Sequence, residues 1–283
     1  MIGVGNLSVG GSGKSPMVMY LADYLAKNFR TGVLSRGYGR KTKGYGIVNY
    51  DSNFKMVGDE AMQLFERFKN RFVIGVCEDR VFGAKKIIED MDLDVLLLDD
   101  SYQHRRIKPG FNILLTDYND PYFKDFVLPA GNLRESRRGA KRADIIVVTK
   151  CPENITEEKK QFYISRIKPR YYQKVFFSTI NYDEEIFCFD PKLKLPDNNM
   201  SYYDILLITG IANPKTFVEE VKRYSSNVKH LRFKDHHSFT TEDISLIKKE
   251  YEKLGEYKLI LTTEKDYVRL KGFDYLRDRK STR

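Results

Sequence analysis

Apolar positions along the chain fall into two alternating patterns. Short apolar runs bounded by turn residues recur at Ile2–Asn6, Thr31–Ser35, Phe72–Val76, Val95–Asp99, Asn112–Thr116 and Ile145–Thr149. Each has the length of a buried strand. Between them lie stretches whose apolar residues return at helical spacing. Pro16–Asn28 carries Val18, Leu21, Ala22 and Leu25 on one face, and Glu60–Lys69, Arg80–Asp90 and Glu157–Arg166 read the same way. Val175–Ser178 is expected to close the first sheet. Strand and helix signals in alternation predict an α/β architecture with a parallel sheet. Near Asn181–Ser201 the pattern breaks into an acidic, Pro- and Asn-containing stretch, as in a linker. A second unit follows: strand Ile205–Thr209, helix Pro214–Arg223, strand Val228–Phe233, helix Thr241–Leu254 and strand Leu259–Thr262. The expected division is a domain over 1–180, a linker or hinge over 181–200 and a smaller α/β domain over 201–283. The first strand opens at residue 2, abruptly for an open sheet. The expectation is that an N-terminal segment present in relatives is missing.

Composition narrows the class. At 41% hydrophobic and 31% charged residues, the 283-residue chain is globular, not disordered. No apolar run approaches the roughly 20 residues that span a bilayer. The three cysteines, Cys77, Cys151 and Cys188, are widely spaced, which argues against a disulfide framework or a Cys-based zinc site. A net charge of +10 favours anionic partners: nucleic acid, phosphate-bearing substrates or an anionic membrane. No nucleic-acid recognition motif is present, so nucleic acid is not an expected partner. No protein partner is evident.

The strongest local signal is Ser8-Val9-Gly10-Gly11-Ser12-Gly13-Lys14-Ser15, set between a strand and a helix. Glycines let successive backbone N–H groups wrap a polyphosphate. The lysine reaches the β- and γ-phosphates, and the hydroxyl after it serves Mg²⁺. Gly10, Gly11, Ser12, Gly13, Lys14 and Ser15 are therefore the candidate nucleotide-binding residues. The usual first glycine of the pattern is Ser8 here, and an ordinary glycine-rich turn is the competing reading. Asp99-Asp100 ends the strand Val95–Leu98, on the side of an open α/β sheet where ligands bind. In phosphate-loop enzymes an aspartate there holds Mg²⁺, directly or through water; a strand-end cap is the alternative. His104 follows closely and is by itself more often structural. Asp59, in Gly58-Asp59-Glu60, reads as a helix cap on its own. Arg36, in the glycine-containing stretch Ser35-Arg36-Gly37-Tyr38-Gly39-Arg40, suits either an anion contact or a solvated turn. Asp235-His236-His237 suits acid–base work or a plain surface loop, and Thr262–Asp266 is a candidate ligand-contacting turn.

Together the motifs resemble the tetraacyldisaccharide 4′-kinase family, the lipid A 4′-kinases of Gram-negative bacteria. The matching stretches include Val4-Gly5-Asn6 with Gly10–Pro16, Ser35–Arg40, Gly58-Asp59-Glu60, Asp79-Arg80 and Leu98–His104. They continue with Leu128–Glu135, Arg142-Ala143-Asp144, Gly210–Pro214, Asp235-His236-His237 and Thr263–Asp266, in family order. The resemblance implies a phosphate-loop NTPase-like α/β/α sandwich, with a mostly parallel sheet and a smaller α/β domain on a hinge. It implies ATP- and Mg²⁺-dependent transfer of the γ-phosphoryl group to the 4′-hydroxyl of an acylated glucosamine disaccharide 1-phosphate, forming lipid IVA. The site would be peripheral, at the cytoplasmic face of the inner membrane. Carried over by motif, Asp59 and His236 are the catalytic pair and Lys14 serves the phosphates. Ser15, Asp99, Asp100 and Glu135 organise Mg²⁺ and water, and Arg80 neutralises phosphate charge. Ser12 and Ser15 replace the usual threonines, and Ser101-Tyr102 replaces Gly-Phe. The family's N-terminal amphipathic helix is not matched, so a soluble chain is expected. A phosphate-loop ATPase or soluble-metabolite kinase is the rival enzyme reading, and it leaves Asp59 and Asp235-His236 without a role. A basic nucleotide-dependent nucleic-acid binder is the rival from another class.

Overall fold

In the computed structural model, which describes residues 1–181 and 200–273, the apolar runs pair side by side. The chain divides into two units, Met1–Asn181 and Tyr182–Arg283. The strands of the first are β1 (Ile2–Asn6), β2 (Thr31–Ser35), β3 (Gly46–Ile47), β4 (Val73–Val76), β5 (Val95–Asp99), β6 (Phe111–Asp117), β7 (Ile145–Cys151) and β8 (Lys174–Thr179). They form one sheet in the order β3-β4-β2-β5-β1-β6-β7-β8. All described pairs are parallel except β3 with β4. Every residue of β2, and all of β5 after Val95, is buried. Continuous burial is what a parallel strand covered on both faces requires. The helices are α1 (Lys14–Leu25), α2 (Phe54–Val57), α3 (Asp59–Phe68), α4 (Arg80–Met91) and α5 (Glu157–Ile167).

Local chemistry sets the helix starts. Asp79 accepts from the amides of Val81 and Phe82 and so caps α4, and Thr156 caps α5. Gly58 precedes α3 with φ of 90°, and a Cβ there would lie 2.9 Å from the Tyr38 carbonyl oxygen. Only glycine holds that junction without strain. On one flank of the sheet Leu34, Cys77, Ala84, Ile87, Leu96 and Leu98 form a core. On the other, Leu7, Leu114, Ile146, Val148 and Tyr163 form a second.

The central strand β1 pairs with β5 on one side and β6 on the other, with Val4 level with Asp99 and Asn6 level with Leu115. Because the strands are parallel, the segments that leave β1, β2, β4 and β5 emerge at one edge of the sheet. Chain connections diverge there, which makes the carboxyl end of β1 the natural crevice for a ligand.

In the second unit β9 (Asp204–Thr209) lies between β10 (Val228–Arg232) and β11 (Lys258–Thr262), all parallel. Its helices are α6 (Lys215–Tyr224), α7 (Thr241–Glu252) and α8 (Glu264–Leu270). Thr240 and Asp243 close a reciprocal capping box on α7.

Periodicity placed the α/β alternation, but not every element. β3 and α2 are too short to show a repeat, and the sequence reading had no element at either. The stretch read as a turn at Thr262–Asp266 instead ends β11 and opens α8, with the Thr263 side chain as cap. The expected linker over 181–200 lies, apart from its end residues, outside the described residues.

Candidate active site

The loop between β1 and α1 takes its shape from glycines with positive φ, 102° at Gly10 and 83° at Gly13. Nothing lies within 4 Å of where a Cβ on Gly10 or Gly11 would stand, so the loop borders open space. Lys14 is the first residue of α1. Its ammonium donates to Asn6 Oδ1 at 3.2 Å and stands 3.8 Å from Asp100 Oδ1. Ser15 Oγ donates to Glu60 Oε1 at 3.2 Å. Thr149 Oγ1 donates to the Ser12 carbonyl at 2.9 Å and so ties the loop to β7. Two polar atoms here, Ser12 Oγ and Asn6 Nδ2, are buried without a hydrogen-bond partner among the described residues. Buried polar atoms are almost always paired, and orphans beside a glycine loop suit a polar, oxygen-rich ligand. These residues fit a nucleotide polyphosphate.

The carboxylates are held differently from one another. Asp99, at the end of β5, is buried. Burial, and then the nearby charges of Glu60 and Asp100, push its carboxyl up to about 7 against the pull of Arg80 and Lys14. Asp100 has a left-handed backbone, φ 46°, and is gripped by Arg134 at 2.9 and 2.7 Å. Burial pushes its carboxyl up, but Arg134 and Lys14 outweigh that and hold it below the ordinary carboxylate range. Glu135 accepts from Gln103 at 3.1 Å, Arg105 at 3.3 Å and Arg142 at 2.8 Å. Its carboxyl too is raised by burial and lowered further by Arg142, Arg105 and Gln103, for a net depression.

Among the described residues no three or more His, Cys, Asp or Glu side chains are clustered to hold a metal by themselves. Mg²⁺ usually takes one or two carboxylates, phosphate oxygens and several waters. The Ser15 hydroxyl and the half-buried Glu60 carboxylate it donates to, with the buried Asp99 close enough to feel the Glu60 charge, are an oxygen set of that kind. Glu60 was not singled out in the sequence, and its one signal was its place in Gly58-Asp59-Glu60.

Arg80 is 2% exposed. It donates from Nη1 to the Cys77 carbonyl and from Nη2 to the Asp99 carbonyl, each at 2.8 Å. It thus joins the ends of β4 and β5, and burial brings its pKa down to about 10. His104 donates its amide to the Ser101 carbonyl at 2.9 Å and shapes the turn after Asp100. Its imidazole is pushed down by burial, then by Arg80 and Arg36. Asp59 is the first residue of α3 and is buried; its Oδ1 accepts from the Glu60 amide at 3.0 Å.

Lys14, Ser15, Asp99 and Asp100 thus converge at the end of β1, and Glu60, Asn6 and Arg134 join them. Gln103 bridges to Glu135, donating to the Asn6 carbonyl at 2.9 Å and to the Glu135 carboxylate.

In the second unit His236 has a left-handed backbone, φ 56°. Its Nε2 lies 3.1 Å from Lys265 Nζ and 3.9 Å from Asp235 Oδ2. An ammonium only donates, so Nε2 accepts in this arrangement. Asp266, fully buried, receives the Gly210 amide at 2.9 Å, Thr263 Oγ1 at 2.8 Å and Arg269 Nη2 at 2.8 Å. Arg269 Nη1 donates in turn to the His237 carbonyl at 3.1 Å. One ion pair therefore fastens three of the sequence motifs together.

A glycine loop presenting Lys-Ser at a helix start, beside a strand-end aspartate pair in a parallel sheet, marks a phosphate-loop phosphotransferase. Comparison with known proteins narrows that class. The family model for tetraacyldisaccharide-1-P 4′-kinase matches residues 1–281. The tetraacyldisaccharide 4′-kinase of Flavobacterium johnsoniae is 44% identical over 272 residues, covering 96% of this chain and 77% of that one. That of Bacteroides thetaiotaomicron is 42% identical over 284 residues, covering 95% and 74%. Among solved structures, LpxK from Aquifex aeolicus in complex with ATP matches with a TM-score of 0.69 at 32% identity, covering 96% of this chain and 79% of that one. The chain belongs to the tetraacyldisaccharide 4′-kinase family. It is an ATP-dependent kinase of lipid A biosynthesis, acting on the 4′-hydroxyl of the disaccharide.

Proposed function

We propose that the edge of the sheet around β1 is where this transfer takes place, with residue roles as follows. The amides of Gly10–Gly13 and the start of α1 cradle the ATP phosphates. Lys14 neutralises charge as the β–γ bond breaks; Asn6 and Asp100 hold its ammonium in place beforehand. Ser15 and Asp99 would hold Mg²⁺, with Glu60 beside them and Asp100 and Glu135 ordering water. When bound, the ion would draw electron density from the phosphate oxygens. Arg80 adds fixed positive charge from behind Asp99. Asp59 takes the proton from the 4′-hydroxyl, and His236 pairs with Asp59 during turnover and shares that proton. A sugar hydroxyl is a weak nucleophile, and a positioned carboxylate is the base it needs. The acceptor is lipid-borne, so the chain works peripherally at the cytoplasmic face of the inner membrane. No helix among the described residues is long and apolar enough to cross it, and the +10 balance suits an anionic leaflet.

The observation that carries this reading is the pairing of adjacent loop residues with opposite partners, Lys14 with Asn6 and Asp100, Ser15 with Glu60. The test is transfer of labelled γ-phosphate from ATP to the tetraacyldisaccharide 1-phosphate in detergent. Label passing only to water or to soluble sugars would overturn the reading.

A further inference from the structure

On the flank of the first unit a cavity of about 640 Å³ lies between the 3₁₀ segment Arg137–Arg142 and the end of α5. Its cations are Arg137, Arg138, Lys141, Arg166, Lys168 and Arg170, and no Asp or Glu lines it. All six are exposed. Among the described residues no ion pair joins any of them to a carboxylate, whereas the adjacent Arg142 is paired with Glu135. Six unpaired cations around one opening repel one another, and an anion relieves that repulsion. The cavity is separate from the nucleotide site, since no phosphate-loop residue lines it.

The surface beside it is apolar. Phe126, Val127 and Leu128 are 62%, 44% and 50% exposed. Arg137 links this tip to the cavity: its guanidinium sits 5.2 Å from the Phe126 ring centroid, and its Nε donates to the Asp125 carbonyl at 2.8 Å. Next to the cavity in sequence, after Arg170, Tyr172 donates its hydroxyl to the carbonyl of the lining residue Lys141 at 2.8 Å, and Tyr171 beside it is fully exposed.

We propose that this flank docks on an anionic lipid bilayer, its cations taking headgroup phosphates while Phe126, Val127 and Leu128 enter the interface. The inference rests on the reading of the chain as a peripheral kinase of a lipid-borne acceptor. A small soluble phosphate would leave most of the cations unused and gives the aliphatic tip nothing to do. RNA would use the charges and tyrosines but not Val127 and Leu128. Cations at the headgroup level beside apolar and tyrosine side chains are the usual chemistry of an interfacial surface.

The test compares wild type with the triple variant Arg166→Gln, Lys168→Gln, Arg170→Gln. Sedimentation is measured with vesicles of phosphatidylcholine alone and with phosphatidylglycerol added. Each surface cation contributes about 1 kcal/mol near an anionic leaflet. At ~1.4 kcal/mol per tenfold, the triple variant should bind anionic vesicles on the order of 10²-fold more weakly. Its kinase activity on detergent-dispersed acceptor should be unchanged. Equal vesicle binding by both proteins would overturn the surface assignment while leaving the membrane reading intact. Wild type that binds neither vesicle would overturn both. A salt-dependent shift of single-stranded RNA without vesicle binding, or competition of vesicle binding by pyrophosphate alone, would assign the cavity to another anion. A parallel fall in detergent-phase activity would place it in the catalytic machinery instead.

Discussion

Lys14 is held by neutral and acidic partners at once, and this fixes what its loss should do. The Asn6 amide oxygen orients its ammonium and Asp100 attracts it. Lys14→Ala removes the charge where it is needed and leaves Asp100 with Arg134. Turnover should fall by roughly 10²-fold or more, the scale of losing one preorganised electrostatic donor. Steady-state kinetics on the folded variant decide it, and near-wild-type kcat would sink the phosphate-loop assignment. The proposed base makes a second prediction. Asp59→Ala should lower kcat by about 10²–10⁴-fold with ATP affinity nearly kept, since the carboxylate acts on the acceptor. His236→Ala should lose as much or less, and the double variant should be little worse than Asp59→Ala, because residues acting as a unit are not additive. If Asp59 only capped α3, its loss would cost about 1 kcal/mol of stability and spare kcat; losses that simply multiplied would also end the pairing. Lys14, Ser15, Asp99 and Asp100 were legible in the sequence, because a phosphate loop and a strand-end aspartate pair are read by local spacing, whereas Asp59 and His236 stood out only through the family resemblance. The partners of these residues were not legible. Ser15 meets Glu60 across 45 residues and Asp100 meets Arg134 across 34. Such contacts depend on how α3 and the loop before Glu135 pack, which no local pattern encodes. The Lys265 contact with His236 is of the same kind.

At the level of elements, strands were the easiest to read. β1, β2, β5 and β7 are apolar runs in a parallel sheet, and their continuity is itself the signal. What stayed hidden was either too short, as β3 and α2, or masked by polar residues, as α8. Thr263-Glu264-Lys265-Asp266 looks like a turn because it is polar. It begins a helix because the Thr263 hydroxyl accepts the Asp266 amide at 3.1 Å. That helix start carries a buried ion pair: Asp266 is 0% and Arg269 3% exposed. Removing one partner strands the other charge away from water, which costs about 3–5 kcal/mol. Asp266→Ala should therefore destabilise the second unit by that order. Replacing both, Asp266→Leu with Arg269→Met, should cost less than Asp266→Ala alone, since no buried charge is left uncompensated. Urea unfolding monitored by tyrosine fluorescence measures both. A wild-type midpoint for Asp266→Ala would show that the pair does not hold Gly210 and the His237 segment in place.

For the whole molecule, separate cores imply separate stabilities. The first unit packs Leu34, Ile87 and Leu98 on one flank of its sheet and Leu114, Ile146 and Tyr163 on the other. The second packs Leu206, Ile208, Ile247 and Tyr251 around its own three-stranded sheet. A chain with two such cores is not expected to unfold in one step. Calorimetry should show two transitions, and Asp266→Ala should lower only one of them. Nucleotide should act on the other, because every phosphate-loop residue lies before Asn181. A ligand that binds only the folded form adds about 2.7 kcal/mol at a hundred times its Kd. ATP with Mg²⁺ at that ratio should raise the first unit's transition and leave the Asp266-sensitive one in place. In Lys14→Ala the same nucleotide concentration should give a smaller rise. Two outcomes would contradict the argument. A single transition that both Asp266→Ala and nucleotide displace would mean that the units melt as one body. A nucleotide shift confined to the Asp266-sensitive transition would put the ATP site in the wrong unit.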